Sequence, residues 1–223
     1  MRFAIVGLLP LIAAAQTCYE LRGKTDAASI EAVSQMLEDP DNFTCAATNL
    51  RIAGAVEPLK HGLAGKDPQV RAAAARELGA FQKPELLEAL SRAAADENVL
   101  VAANALAGLS RYEGREVVPY LSALAGSGGM VGDMALDRLE QLDSAEALRV
   151  ARGLLVSSQV PDKLYAMRAI GNAGDASDLP ALRKIAASSQ ENLAQRSRGF
   201  GFMPPINLAR AAEAAIQAIE ARK

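Results

Sequence analysis

The side chains that could do chemistry in this sequence are one histidine, two cysteines and 26 carboxylates. His61 is the only histidine, so neither a Ser-His-Asp nor a Cys-His arrangement can form without it. It lies in LKHGLAG, a setting typical of a surface or partly packed residue on a helix. Most carboxylates fall where helix caps or polar helix faces are expected. The sequence therefore predicts no catalytic site, and we expect the protein not to be an enzyme.

Motifs that bind metals or cofactors are missing from the sequence as well. Two cysteines and one histidine cannot supply a closed zinc site. The glycine-rich stretch GSGGMVGD, residues 126–133, lacks the following lysine and the preceding strand of a phosphate-binding loop. We expect neither a metal nor a cofactor.

The first residues, MRFAIVGLLPLIAAAQT, have the layout of a cleavable signal peptide. A positive Arg2 precedes an apolar run that ends in small residues, which predicts a signal over residues 1–15 and cleavage after Ala15. The alternative is a membrane anchor, although the run is short for a spanning helix and contains Pro10. We expect a periplasmic or secreted protein with no membrane span after cleavage.

Cys18 and Cys45 are the only cysteines, and both follow the predicted cleavage point. Export to an oxidising compartment favours a disulfide between them, which would fasten the N-terminal entry segment, residues 16–29, to the first repeat. A closed loop of this length stabilises a fold by about 3 kcal/mol in the chain-entropy model. The alternative is that they are two unrelated small core residues.

The composition favours many short stacked helices. Half the residues are hydrophobic, many of them alanine, while aromatic residues make up 4% and tryptophan is absent. Small side chains allow helices to approach closely, and the scarcity of aromatic residues disfavours a β-sandwich. The formal net charge of −2 gives no electrostatic basis for binding nucleic acid, which requires a basic face.

The clearest predicted helix in the sequence is DPQVRAAAARELGAF, residues 67–81. Asp67 can cap a helix whose first turn accommodates Pro68, and Gly79 marks a possible end. The stretch DPDNFTCAATNL, beginning at Asp39, matches it without a gap at an offset of 28 residues. The aligned pairs include Asp39 with Asp67, Ala46 with Ala74, and Leu50 with Leu78.

Related units follow along the chain. Three residues of the next unit align with the cap and core positions of this one: Asp96 with Asp67, Val99 with Val70, and Leu106 with Leu78. The unit after that has the glycine-rich turn in place of an Asp-Pro cap, and two further units follow. A single helix pair cannot bury its apolar face, so units of about 28 to 33 residues must stack. The prediction is an all-α fold, an α-solenoid (α/α superhelix) of about five to six stacked helical hairpins over residues 30–223.

Tetratricopeptide and ankyrin repeats also consist of helix pairs with similar periods, but the sequence lacks their motifs. Tandem helical hairpins unrelated to one another are the alternative that the pattern leaves open.

The repeat resembles a known type. Asp-Pro followed by Val-Arg, an alanine run and Leu-Gly, after a leucine-containing helix, is similar to the short HEAT-like repeats of the bilin-lyase type. The resemblance implies a fold more than an activity. Asp39, Asp67 and Asp96 are explained by helix capping, so we expect them to have structural roles. The resemblance also implies that Arg71 joins an Asp/Arg ladder between neighbouring repeats. Because the equivalent place in the next unit holds Leu100, we do not expect a continuous ladder.

A stretch between the helices of the last unit, roughly residues 188–205, is the least repeat-like part of the mature chain. Insertions in solenoids map to loops at one edge, and exposed aromatic residues with arginine are the types that anchor interfaces. Five residues are predicted to bind a partner: Arg196, Arg198, Phe200, Phe202 and Met203. The alternative is that Phe200 and Phe202 fold back to cover the last repeat.

These features together predict a non-enzymatic scaffold that binds another protein outside the cytoplasm. The resemblance suggests an alternative, a lyase or chaperone for a bilin chromophore, although export argues against it. A structural subunit of an envelope complex is a further alternative. We expect the interaction to lie where the repeat pattern breaks, at the glycine turn of 126–133 and in the loop of 188–205.

Overall fold

A computed structural model of the chain describes residues 17–196 and 207–222, with side chains over 17–188 and 207–222. These residues contain twelve α-helices and no strand. The helices are α1 Ala27–Gln35, α2 Phe43–Ile52, α3 Val56–Gly62, α4 Pro68–Gly79, α5 Leu87–Ala94, α6 Val99–Leu109, α7 Val118–Gly126, α8 Gly129–Leu142, α9 Ser144–Leu154, α10 Val160–Ala173, α11 Leu179–Arg196 and α12 Leu208–Glu220. The predicted signal peptide, residues 1–15, lies outside the described residues.

Consecutive helices pair into six hairpins, from α1 with α2 to α11 with α12. The second helices of the hairpins (α2, α4, α6, α8, α10 and α12) pack along the stack, and the largest of these contacts joins α4 to α6. Alanine and leucine supply most of one continuous core. The structure therefore confirms the predicted all-α solenoid of about five to six stacked hairpins.

The predicted offset of 28 residues holds for the helix bodies of the first two hairpins. Ala46 and Leu50 of α2 are fully buried, as are their counterparts in α4. The helix starts differ, because α2 begins at Phe43 with Asn42 at its N-cap. The Asp39 carboxylate instead accepts the backbone N–H of Asp41 at 3.0 Å and the Asn42 side-chain amide at 2.7 Å. The placement of Asp39 as a helix cap is therefore wrong, since a local turn uses its oxygens.

The predicted register of the third hairpin is wrong by two to three residues. Asn98 holds the N-cap of α6, and its side chain accepts the backbone N–H groups of Leu100 and Val101. Val101 is fully buried at the position equivalent to Val70, whereas Val99 is 58% exposed. Asparagine caps a helix as well as aspartate does, so Asn98 holds the cap position that the sequence pattern assigned to Asp96.

Gly79 ends α4, but the requirement for glycine there comes from packing. A Cβ atom added to Gly108 of α6 would lie 2.8 Å from the Cα atom of Gly79. The two backbones therefore meet where neither residue has a side chain. Gly79 is the last residue of α4, as predicted, and it also allows this close approach of two helices.

The predicted disulfide is confirmed, because Cys18 and Cys45 are bonded with their Cα atoms 6.2 Å apart. The Asn49 side chain of α2 donates a hydrogen bond to the Cys18 carbonyl at 2.7 Å. Leu21, which is 1% exposed, packs into the core beside it. The entry segment is shorter than predicted, since α1 already begins at Ala27 with Asp26 as its N-cap.

The last hairpin also corrects the predicted insertion. Helix α11 continues to Arg196, so the first part of the stretch 188–205 is helical. Arg198, Phe200, Phe202 and Met203 lie outside the described residues, as does the side chain of Arg196. Within the two described ranges, we find no helix with the length and apolar character that crossing a membrane requires.

Candidate interaction surface

The turns within the hairpins lie together at one edge of the solenoid, which we call the turn edge (residues 36–42, 63–67, 95–98, 127–128 and 155–159). Neighbouring second helices run parallel, as two contacts of α8 show. The backbone N–H of Gly129, at the start of α8, donates to Asp162 in the first turn of α10 at 2.9 Å. Near the other end of α8, Arg138 donates to the carbonyl of Tyr112, just beyond α6, at 2.9 Å. The starts of the second helices therefore share the turn edge.

Exposed apolar side chains concentrate at this edge. Eight large hydrophobic residues are exposed among the described side chains, and six of them lie at or near the starts of α6, α8 and α10. We call these six the apolar strip: Val99, Leu100, Met130, Met134, Val156 and Val160. Val156 is the most open of them, with 86% of its surface exposed.

Charge is absent from the turns that carry the apolar strip in the fourth and fifth hairpins. Neither 126–132 nor 155–161 contains a charged residue. An uncharged apolar surface loses little hydration energy when a partner covers it, and contiguous apolar patches commonly mark interaction sites. The sequence reasoning missed the strip because it placed Val99 in the core, although it did select the glycine turn that carries Met130.

Asp162 holds the glycine turn in place from the neighbouring hairpin. Its carboxylate is 6% exposed and accepts the Gly129 N–H at the start of α8 and the Ser157 hydroxyl at 2.6 Å. Gly128 and Gly129 have φ angles of +73° and +69°, and a Cβ atom on Gly128 would lie 2.6 Å from an Asp162 oxygen. The N-cap residue of α8, Gly128, has no side chain to cap the helix, and the carboxylate of Asp162, 33 residues after Gly129, binds the first N–H group instead. This contact positions Met130 at the edge.

Ion pairs between neighbouring hairpins, which we call clamps, help to hold the hairpins together. Three arginine–carboxylate pairs with separations of 25 or 26 residues join neighbouring hairpins: Arg51–Glu77 at 2.6 Å, Arg71–Asp96 at 2.8 Å and Arg152–Asp178 at 2.7 Å. The Arg71 guanidinium binds both Asp96 oxygens and lowers the pKa of that carboxyl below its usual value. It also donates to the carbonyls of Gly65 and Lys66.

These pairs refine the prediction about a ladder. The predicted break in a continuous ladder is observed in the third hairpin, where α6 carries no charged residue. The other two clamps were not foreseen. The arginines of the three clamps lie at different places in their helices, near the end of α2, in the first turn of α4 and near the end of α9, so no single repeat position indicates them in the sequence.

A second feature of the edge is a groove of about 600 Å³ between α1 and α3. Leu37 and Val70, both almost fully buried, form part of its floor. Its rim carries Glu31, Glu38 and Glu57, all exposed, together with the exposed His61. An adjoining cavity with the same Glu38 and His61 extends past Gly65 to Lys66 and Asp67, so the groove opens onto the turn edge.

The candidate chemical residues of the sequence form no metal-binding cluster in the described part of the chain. Side chains of His, Cys, Asp and Glu form no group of three or more there that could hold a metal ion. His61 lies on the surface, as expected, and Asp67 caps α4 by accepting the N–H of Gln69 at 2.7 Å. Arg71 and Asp96 serve one inter-repeat contact.

Comparison with known proteins identifies the repeat type. Residues 56–129 match the family model of HEAT repeats. The match begins at the first residue of α3 and ends at the first residue of α8, so it spans the second and third hairpins and α7. This part of the solenoid is therefore similar to HEAT repeats.

Two further comparisons add little. No curated protein matches the chain. The crystal structure of an engineered protein, a target of the Northeast Structural Genomics Consortium, is 19% identical with a TM-score of 0.32. That similarity covers 93% of this chain and 85% of the other.

Proposed function

We propose that the protein is a non-enzymatic scaffold that binds a partner protein along the turn edge of its solenoid, outside the cytoplasm. HEAT repeats generally serve as protein-interaction scaffolds, which supports the general role. The observation that carries the proposal is the apolar strip, because six of the eight exposed large hydrophobic side chains in the described residues lie on one edge. Loops and edges positioned by a rigid scaffold are where repeat proteins commonly bind.

Two features support a location outside the cytoplasm. The N-terminal sequence has the pattern of a signal peptide. The Cys18–Cys45 disulfide is of the kind that persists in oxidising compartments. Both cysteines lie after the predicted cleavage point, so the mature chain keeps the bond.

The experiment compares two variants of the mature protein. The immobilised protein is incubated with an extracytoplasmic fraction of its source, and a captured partner is then purified for titration. Leu100→Gln/Met134→Gln removes two apolar side chains of the strip while keeping good helix formers in exposed positions. Ile52→Gln is the matched control, since Ile52 is 42% exposed and Met134 is 45% exposed, but Ile52 lies at the end of α2 away from the turn edge.

We expect the double variant to weaken partner binding about tenfold or more, because full burial of an apolar side chain of this size contributes about 1.5–3 kcal/mol and the two side chains are about half exposed in the free protein. The control should bind like the unchanged protein. Equal affinity of the double variant and the control would disprove the turn edge as the binding surface. Circular dichroism and urea unfolding should show that both variants remain folded.

The predicted contribution of Arg196, Arg198, Phe200, Phe202 and Met203 stays a prediction. Helix α11 is described as far as Arg196, and α12 begins at Leu208. Replacing Phe200 and Phe202 with alanine in the same titration tests whether the connection between these two helices takes part. No observation in the described residues favours the chromophore or envelope-subunit alternatives.

A further inference from the structure

The acidic groove is defined by Glu31, Glu38, Glu57 and His61 over the floor of Leu37 and Val70. The described residues that line it include three carboxylates and neither lysine nor arginine, while Lys66 lines the adjoining cavity through which the groove opens onto the turn edge. Lys60 pairs with Glu57 at 3.0 Å, but Lys60 itself lines a different groove, between α3 and α5. Glu38 makes no side-chain hydrogen bond or ion pair with the described residues, so its charge is free to meet a ligand.

The shape of the groove fits a long aliphatic cation. Gly62 lines the groove and packs closely on α4, where a Cβ atom on Gly62 would lie 3.1 Å from the Cβ of Ala74 and 3.7 Å from Leu37. Buried apolar side chains below and carboxylates above match a lysine or arginine side chain, whose methylene stem packs on apolar surface while its charged end binds a carboxylate. Charge complementarity therefore selects a basic ligand over an acidic one.

The groove and the apolar strip follow one another along the same edge. The groove reaches the edge at residues 65–67 in the second hairpin, and the strip begins at Val99 in the third. The Arg71–Asp96 clamp joins these two hairpins. Helices pack about 10 Å apart, so the distance from the second to the fifth hairpin is roughly 30 Å. That length corresponds to a helical segment of about 20 residues.

We infer that the partner binds through one amphipathic protein segment whose basic end enters the acidic groove and whose apolar remainder covers the apolar strip. This inference rests on the proposed function and adds the chemistry and the direction of the bound segment. It commits to a partner protein with lysine or arginine at the end that lies over the first two hairpins.

The probe is a synthetic amphipathic peptide of leucine and lysine, about 20 residues long with the lysines concentrated at one end. The comparison peptide has glutamate at every lysine position. Binding of each fluorescent peptide to the mature protein is measured by anisotropy at low and moderate salt. Glu31→Gln/Glu38→Gln neutralises the groove, and Glu88→Gln is the matched control on α5, where Glu88 is 73% exposed outside the groove.

We expect the lysine peptide to bind, and the groove variant to weaken that binding about five- to tenfold at low salt, with a smaller effect at higher salt because charge pairs on a surface are screened. The control should change nothing. If the glutamate peptide bound equally well, or if the groove variant bound the lysine peptide like the unchanged protein, the inference would be overturned.

The two proposals fail in different ways. Normal binding by the groove variant together with lost binding by Leu100→Gln/Met134→Gln would overturn the acidic groove and leave the scaffold function standing. Normal binding of the natural partner by Leu100→Gln/Met134→Gln would overturn the turn edge itself.

Discussion

Gly79 and Gly108 lie in direct backbone contact where α4 and α6 cross, so close that a Cβ atom on Gly108 would stand 2.8 Å from the Cα of Gly79. Gly79 is the last residue of α4 and Gly108 the last but one of α6, the second helices of the second and third hairpins. The contact sets the separation of the two hairpins that carry the transition from the acidic groove to the apolar strip. Small residues at a helix crossing allow a distance that larger side chains prevent.

Gly108→Ala should destabilise the protein by about 1–3 kcal/mol, because the new methyl group meets backbone that cannot move aside cheaply. Urea unfolding gives the change in free energy. Gly153→Ala is the control: Gly153 lies inside α9, and a Cβ atom there would have nothing within 4 Å. The control should be neutral or stabilise the helix by about 0.5–1 kcal/mol. Equal stability of the two variants would contradict the close crossing.

Asp96→Asn should destabilise the protein by about 1–2 kcal/mol, since it leaves the Arg71 guanidinium, 16% exposed, without its charged partner. The control is Glu88→Gln, whose pair with Arg92 is 3.8 Å long and highly exposed at both ends. Exposed pairs of that kind contribute little, so the control should change stability by less than about 0.5 kcal/mol. Thermal and urea unfolding at neutral pH make the comparison, and similar losses in both variants would show that Arg71–Asp96 is an ordinary surface pair.

Glu146→Gln should reduce the loss of unfolding free energy that the protein shows as the pH falls below about 4.3. Hydrogen bonds from Arg149, and then from Ser122, lower the pKa of the Glu146 carboxyl to about 2 in the folded protein. Because the folded pKa lies below the unfolded value of about 4.3, this group stabilises the fold at pH values above about 4.3. The stabilisation is lost as the pH falls from there through about 2.

The free energy of unfolding is therefore measured at pH 6 and pH 3 for both proteins. The unchanged protein should lose more stability over this interval than Glu146→Gln. Ser122→Ala should retain most of the pH dependence, because Arg149 makes the larger contribution. An identical pH dependence in Glu146→Gln and the unchanged protein would contradict the assignment.

Cys18→Ser/Cys45→Ser should lower stability by about 3 kcal/mol, as expected for a bond that closes a loop of 27 residues. A reducing agent should destabilise the unchanged protein by a similar amount and leave the double variant unaffected. Thermal unfolding with and without the reductant gives both numbers. A reductant effect of the same size on the double variant would mean that the disulfide is not its cause.

Much of the fold could be predicted from local patterns. The spacing of alanine and leucine in DPQVRAAAARELGAF and its copies was sufficient for the solenoid, because each repeat encodes its own buried face. Asp67 was recognisable as a cap because a cap acts on the residues directly after it. Two cysteines that follow a signal-like segment leave one pairing, so the disulfide needed no structure.

The candidate surface required the tertiary structure. The start of α6 depends on whether Asp96 or Asn98 caps it, and Asp96 is engaged by Arg71, 25 residues earlier. The start of α8 is held by Asp162, 33 residues later, which no local pattern indicates. The sequence by itself determined which residues form helices and that these helices stack. Only the packing of one hairpin on the next decided where α6 and α8 begin, and therefore which of their apolar side chains face the solvent at the turn edge.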